Sequence, residues 1–192
     1  MTYSPSAESR KVIDASVTTI DQAKSPFVKI GTKYWRSLCG RRRFPSRDDL
    51  TLRGMAAILP YSVIIGVIDG GADYEFRYVG DAQRQAYKTY FKGMRLTQIE
   101  IAAPELGEAL RTAYELLRST ATPLLLRGKA DYDVIDPHLR FHETALLPLG
   151  AGDTAVDHLL VVGVHVPQPF WKLSDAKRKS LATQLGIASS RA

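Results

Sequence analysis

The segment "SVIIGVIDGGADYEFRYVG", residues 62–80, carries the clearest structural signal in the sequence. Two runs rich in β-branched and aromatic residues flank "DGGAD", and a tight Gly-Gly connection between such runs is typical of a β-hairpin. Polar and apolar residues alternate in the second run, which predicts that Tyr74, Phe76 and Tyr78 share one face of the strand. The segment therefore predicts two antiparallel strands at the start of a sheet.

Three further apolar runs follow towards the C-terminus: "TPLLLRGKA" at 122–130, "LRFHETALLPLG" at 139–150 and "VDHLLVVGVHV" at 156–166. The last two are joined through "GAGD", and the turns between these strands are too short for parallel crossovers. Between the two groups of strands lies "APELGEALRTAYELLRST", whose early Pro104 and apolar stripe predict an amphipathic helix. The pattern predicts an α+β fold, a five-stranded antiparallel sheet with helices on one face.

Upstream of the hairpin, the apolar spacing predicts helices over about 10–23 and over 29–42, and a helical stripe from Leu50 that Pro60 ends. A basic C-terminal helix is predicted in "SDAKRKSLATQL", residues 174–185. The predicted organisation is a helical or flexible extension over 1–30, one domain over 31–170 and a basic helix or tail over 171–192. We expect a homodimer through the N-terminal helices, which would bury Val12, Ile13, Val17 and Ile20.

The net charge of +6 is concentrated at the two ends of the chain. Residues 1–43 carry +6 and residues 171–192 carry +4, whereas the middle carries −4. A nucleic-acid-binding domain more often concentrates positive charge on its folded reading face, so this distribution argues against one. The single Cys39, the lack of a signal-peptide pattern and the absence of an apolar run of about 20 residues predict a cytoplasmic protein outside the membrane.

The segment "CGRRRFPSRDDL", residues 39–50, supplies candidate anion contacts, namely Arg41, Arg42, Arg43 and Arg47. One interpretation is a regulator associated with nucleic acid, which would use these arginines together with Lys177–Lys179. The other is a solvated helix end, where cations complement the helix dipole and Arg47 pairs with Asp48 or Asp49. The second interpretation requires no ligand.

Sequence motifs give no support to catalysis or to a metal site. No Gly-x-Ser-x-Gly elbow, Walker loop or Gly-x-Gly-x-x-Gly motif occurs. His138 and His142 lie four residues apart, but in a strand that spacing separates them by about 13 Å. Asp131 and Asp133 form a carboxylate pair in a loop or strand end. We therefore predict no catalytic residues, no metal site and a protein that is not an enzyme.

The order of elements is similar to the PAS layout, and six segments strengthen the likeness. They are "YWRSLCGRRRFPSRDDL", "ILPYSVIIGVID", "YEFRYVGD", "KGMRLTQI", "ETALLPL" and "VDHLLVVGV". Together they resemble a family of small bacterial stand-alone PAS-like proteins over about residues 31–166. The resemblance implies a sensory or regulatory module that binds a small ligand or mediates protein–protein interaction and passes a signal to a partner protein.

The resemblance also implies where a ligand would bind, because PAS cavities lie between the sheet and the middle helices. The candidate pocket residues are Phe76, Tyr78, Tyr87, Phe91, Met94 and Leu96, with Arg95 or His142 as polar anchors. The alternative is that these side chains simply fill the core. No cofactor is assigned: haem would need His142 or His165 as its ligand, and Cys39 lies too early in the chain for a flavin photosensor.

Overall fold

The computed structural model describes residues 15–87, 91–130, 132 and 134–167. Its strands are β1 (Ala15–Thr18), β2 (Ser62–Ile68), β3 (Asp73–Val79), β4 (Leu124–Lys129), β5 (Phe141–Leu149) and β6 (His158–Val166). Its α-helices are α1 (Pro26–Cys39), α2 (Leu52–Met55), α3 (Asp81–Ala86), α4 (Leu96–Ala102) and α5 (Pro104–Thr120). The predicted C-terminal helix and the carboxylates Asp131 and Asp133 lie outside the described residues.

The strands form one antiparallel sheet in the order β1-β4-β5-β6-β2-β3, so the α+β prediction is confirmed. The predicted hairpin joins β2 to β3, and both Gly70 and Gly71 have positive φ, which glycine adopts without steric cost. The sheet described here has six strands, whereas the sequence pattern predicted five. The sixth strand comes from the N-terminal segment.

In the described part of the segment predicted as a helix over about 10–23, residues 15–18 form strand β1 instead. Its residues pair with β4 in antiparallel register, from Ala15 opposite Gly128 to Thr18 opposite Leu125. The pairing satisfies backbone groups that would otherwise be exposed at the edge of β4, and this non-local gain outweighs the weak helical spacing. Ile20 is buried in the core of its own chain, so it cannot contribute to the predicted dimer interface. Val12 and Ile13 lie outside the described residues.

The sheet is covered on both faces, which corrects the prediction of helices on one face only. Helices α3, α4 and α5 cover the face that carries Tyr74 and Phe76, here called the aromatic face. Helix α1 covers the opposite face, here called the α1 face. A Cβ on Gly31 of α1 would lie 2.9 Å from the methyl groups of Val162, so the helix backbone lies directly against β6.

Helix α1 is held on its face by a buried carboxylate. Glu143 of β5 is fully buried and its Oε1 accepts hydrogen bonds from the backbone N–H groups of Lys24 and Ser25, at 2.9 and 2.6 Å. Its Oε2 accepts from Nε of Arg127 at 2.9 Å. Arg127 also donates from Nη2 to the carbonyl oxygen of Gln22 at 2.7 Å. The residues that lead into α1 are therefore tied to β4 and β5.

The opposite end of α1 is fixed by Trp35, which is 4% exposed. Its indole Nε1 donates a hydrogen bond to the carbonyl oxygen of Pro148 at 2.8 Å, so the buried polar group of this side chain is satisfied. Gly40 ends the helix with φ of 58°, two residues before the predicted end at 42. Beyond it, Ser46 and Asp49 form a capping box around a 3-10 turn, Arg47–Asp49.

A β-bulge in the hairpin separates two residues that were predicted to share a face. Ile64 pairs with Tyr78 and Ile65 pairs with Phe76, so Arg77 is an extra residue on β3. Because Ile64 and Ile65 point to opposite faces, Phe76 lies on the aromatic face and Tyr78 on the α1 face. The prediction of one shared face is therefore wrong for Tyr78.

The helical stripe predicted from Leu50 to Pro60 forms a shorter element than expected. Only α2 is α-helical, and a 3-10 turn follows at Leu59–Tyr61. A Cβ on Gly54 would lie 2.5 Å from the ring of Tyr34, so α2 is packed closely against α1. Among the described helices, none has the length and hydropathy to cross a membrane.

Candidate functional site

Four aromatic rings form a connected cluster between the sheet and the helices of the aromatic face. The ring centroids of Phe76 and Phe91 are 5.7 Å apart, those of Tyr87 and Phe91 are 5.1 Å apart, and those of Phe76 and Tyr114 are 6.5 Å apart. All three pairs are tilted or edge-to-face, the arrangements that aromatic quadrupoles favour. The structure thus brings together Phe76, Tyr87 and Phe91, as the pocket prediction required.

Two histidines lie at the edge of this cluster because β5 and β6 pair in one register. His142 and His165 are directly opposite each other, with ring centroids 5.9 Å apart and an interplanar angle of 27°. The ring of Tyr87 meets His165 edge-on at 5.1 Å. The sequence predicts His142, but not His165, as a pocket residue, and both are candidate haem ligands. We call the four residues Tyr87, Phe91, His142 and His165 the aromatic–histidine site.

Burial keeps both histidines neutral at ordinary pH. It lowers the pKa of His142 to about 4. For His165, burial together with the neighbouring His142 lowers the pKa to about 3, against a weaker opposing effect from the backbone of Leu139. Neutral imidazole has one ring nitrogen that accepts and one that donates, so each histidine offers an acceptor.

One of these nitrogen atoms has an unsatisfied hydrogen-bonding capacity. Nδ1 of His165 is buried and has no hydrogen-bond partner among the described residues. The corresponding Nδ1 of His142 lies 3.3 Å from the hydroxyl oxygen of Thr144. Because nearly all buried polar atoms in folded proteins are paired, an unpaired one needs an explanation, such as a ligand that binds there.

Two other predicted pocket residues lie away from the aromatic–histidine site. The side chain of Arg95 is half exposed and lies 4.0 Å from Oδ2 of Asp73, at the outer edge of β3. Arg95 therefore does not serve as a polar anchor for the site. Tyr78 lies on the α1 face, where its hydroxyl donates to the carbonyl oxygen of Leu59 at 3.0 Å.

Met94 and Leu96 remain close to the predicted position. Met94 is partly buried against the core, and its carbonyl oxygen accepts a hydrogen bond from the backbone N–H of Phe76 at 3.0 Å. Leu96 is fully buried. The backbone of Met94 therefore lies beside Phe76, and His142 and His165 are the imidazole groups of the site.

The candidate anion contacts at 39–50 differ in their interactions, and two of the four arginines bind carbonyl oxygens at helix ends. Nη2 of Arg42 donates to the carbonyl oxygen of Leu38 at 2.9 Å and to Asp49 at 2.7 Å. Nη2 of Arg43 donates to the carbonyl oxygen of Thr120 at 2.6 Å, at the end of α5. Both guanidinium groups thus satisfy carbonyl groups that helix ends leave unpaired.

The other two arginines of the segment are exposed. Arg41 makes no ion pair or side-chain hydrogen bond in the described part of the chain, and Nη1 of Arg47 lies 3.8 Å from Oδ1 of Asp48. The four arginines therefore do not form a single phosphate-binding surface. Lys177–Lys179, the other half of the nucleic-acid interpretation, lie outside the described residues.

Within the described residues, no three His, Cys, Asp or Glu side chains come together as metal ligands. No protein-family model, curated protein or solved structure matches the chain.

Proposed function

We propose that this protein is a PAS-like sensory or regulatory module, without enzymatic activity, that binds a small ligand at the aromatic–histidine site. The strand order supports the PAS-like part of the proposal. Without β1, the order is β3-β2-β6-β5-β4, in which two strands from the start of the domain lie beside three from its end. Helices α3–α5, which lie between them in sequence, cover one face, as the family resemblance implies.

The observation that carries the ligand-binding proposal is the unpaired Nδ1 of His165. The low pKa of this imidazole, about 3, means that it is neutral in the folded protein near neutral pH. We take the tautomer in which Nδ1 accepts, so this atom requires a donor; a buried polar group that lacks its partner costs about 1–3 kcal/mol. A ligand that supplies an N–H or O–H group would recover that free energy.

The surroundings of this nitrogen atom restrict the ligand further. The neighbouring groups are the rings of Tyr87 and His142, and the Phe91 ring lies behind Tyr87. Aromatic and imidazole neighbours of this kind favour a ligand with an apolar or planar body and few polar groups. A charged ligand is disfavoured, because burial that keeps His142 and His165 neutral would also penalise an ion. We therefore propose a small neutral molecule with a planar body and one hydrogen-bond donor.

Native mass spectrometry of protein purified without denaturation tests this proposal. We expect a retained small molecule on the wild-type protein and its loss from His165→Phe, since phenylalanine keeps the ring but removes the acceptor. His138→Phe is the matched control, because His138 is exposed and its side chain lies outside the site.

The control and a second variant keep the result interpretable. His138→Phe should retain the molecule as the wild type does, and His165→Gln should retain part of it, because glutamine preserves an acceptor. Far-UV circular dichroism establishes that each variant is folded. Absence of any retained molecule on the wild-type protein, or equal retention by His165→Phe, would contradict the proposal.

A further inference from the structure

A second site lies on the α1 face and is separate from the aromatic–histidine site. It is a groove with a volume of about 450 Å³, within the range of small-molecule sites. Its lining residues are Ser46, Arg47, Asp48, Ile64, Arg77, Tyr78, Ala151, Asp157 and His158. The groove thus joins the loop after α1 to the bulged part of β3 and the start of β6.

The bulge and a glycine place an arginine across the base of this groove. The extra residue in β3 puts Arg77 beside Tyr78 on the α1 face. From there the guanidinium group of Arg77 lies over Gly66 of β2, where a Cβ would come 2.5 Å from Nε. A larger residue at 66 would therefore displace Arg77.

A chain of hydrogen bonds fixes the orientation of this guanidinium group. Nη1 of Arg77 lies 2.8 Å from Nε2 of His158, and Nδ1 of His158 lies 2.7 Å from Oδ1 of Asp157. Since arginine can only donate, Nε2 of His158 accepts and its Nδ1 donates to Asp157. Oδ2 of Asp157 accepts from the backbone N–H of Ala151 at 3.1 Å. Both oxygen atoms of this carboxylate are therefore engaged.

Two guanidinium groups of the groove keep donors that are not engaged, and the exposed Asp48 carboxylate lies beside one of them. Nε of Arg77 bonds to Glu75 and Nη1 bonds to His158, whereas Nη2 has no hydrogen bond to a described residue. The guanidinium group of Arg47 is half exposed and only loosely paired with Asp48, whose side chain is 92% exposed. Two guanidinium groups facing one groove favour an oxyanion, since their planar donors match carboxylate geometry.

The rest of the lining favours a ligand with an apolar body. Ile64 pairs with Tyr78 across β2 and β3, so the aliphatic side chain and the aromatic ring lie next to each other on this face. The hydroxyl group of Tyr78 is directed to the carbonyl oxygen of Leu59. The ring is thus left as an apolar surface beside the two arginines.

We propose that this groove binds a small organic carboxylate with an apolar body, held by Arg77 and Arg47 and packed against Tyr78 and Ile64. The proposal depends on the α1 face alone and does not rest on the proposed function of the aromatic–histidine site. It adds a second ligand class, an anionic one, to a protein whose other site favours a neutral ligand.

Benzoate is the probe for this proposal, and a titration followed by ¹H–¹⁵N NMR at physiological salt is the measurement. We expect saturable shifts at Arg77, Tyr78 and His158, with a dissociation constant of about 1 mM or below. Arg77→Gln should weaken binding at least tenfold. Gly66→Ala should also weaken it, because it displaces Arg77 without changing the net charge.

The control is Arg53→Gln, which removes an exposed arginine outside the groove and should leave benzoate affinity unchanged. Inorganic phosphate serves as a second probe and should bind more weakly than benzoate, since it gains nothing from Tyr78 and Ile64. The proposal fails if benzoate shows no saturable binding up to about 10 mM, if Arg77→Gln binds like the wild type, or if phosphate binds more tightly.

Discussion

Lowering the pH from about 7 to about 5 should reduce the free energy of unfolding by about 4 kcal/mol through His142 and His165 alone. Burial lowers the pKa of the two residues to about 4 and about 3 in the folded protein. In the unfolded chain both residues titrate near 6.5. As the pH falls below this value, the unfolded state binds two protons that the folded state does not bind.

The direction of the effect follows from this difference in bound protons. The contribution of the two residues to the free energy of unfolding is fully present above about pH 6.5. It is lost as the pH falls towards their folded-state pKa values. The loss amounts to about 1.4 kcal/mol per pH unit for each histidine below about pH 6.5. Asp73, Glu100 and Glu115 add little above about pH 5, because their pKa values are lowered from already acidic ones.

Urea unfolding at a series of pH values measures this effect, and a double variant isolates it. His142→Leu/His165→Leu removes both titrating groups and should show a much flatter dependence between about pH 5 and about pH 7. His138→Leu should keep the wild-type dependence, because His138 is exposed. A double variant that loses stability as steeply as the wild type would show that the pair is not buried in its neutral form.

Glu143→Ala should destabilise the fold by about 3–5 kcal/mol, because it breaks a buried ion pair and leaves Arg127 without its carboxylate. The same change leaves the backbone N–H groups of Lys24 and Ser25 without acceptors. These two donors precede α1, so the loss should loosen the attachment of the helix to its face.

Two measurements distinguish this role from a general loss of packing. Urea unfolding gives the stability, and native-state hydrogen exchange should show faster exchange at the amides of Lys24 and Ser25 in the variant. Glu143→Gln keeps the shape and an acceptor and should cost less. Glu108→Ala, on the exposed side of α5, should change stability by less than about 0.5 kcal/mol. Unchanged exchange at Lys24 and Ser25 in Glu143→Ala would contradict the assigned role.

The strands were predictable from the sequence because their signals are local. Alternation of polar and apolar residues, together with turn glycines, locates β2 and β3 to within a residue or two. Strand β1 was not predictable in this way, because the backbone pairing that favours it is contributed by β4, more than 100 residues away. A helical spacing of four apolar residues is a weaker signal than an available strand edge.

The candidate sites were predictable only in part, because the sequence does not show in which register the strands pair. One extra residue at Arg77 moves Tyr78 to the other face, and nothing in the run "YEFRYV" marks the bulge. The pairing of His142 with His165 depends on a connection from Gly150 to Asp157 that is longer than the predicted "GAGD" turn. Because one step of register moves every side chain to the opposite face, sequence alone could not bring these histidines together.

Glu143 illustrates the same limit for an ionised group. Its place within an apolar strand, "FHETALLPL", was a visible signal of a buried charge. Its partners come from two separate parts of the chain, namely the Lys24–Ser25 segment before α1 and Arg127 of β4. Only the folded arrangement shows that the charge holds α1 in place.

The central structural claim is that the bulge at Arg77 places Phe76 and Tyr78 on opposite faces of one antiparallel sheet. Nuclear Overhauser contacts between side chains test it most directly. The account predicts contacts from the Phe76 ring to Phe91 and Tyr114, and contacts from the Tyr78 ring to Ile64. Contacts from both the Phe76 and Tyr78 rings to Phe91 would place the two residues on one face and contradict the account.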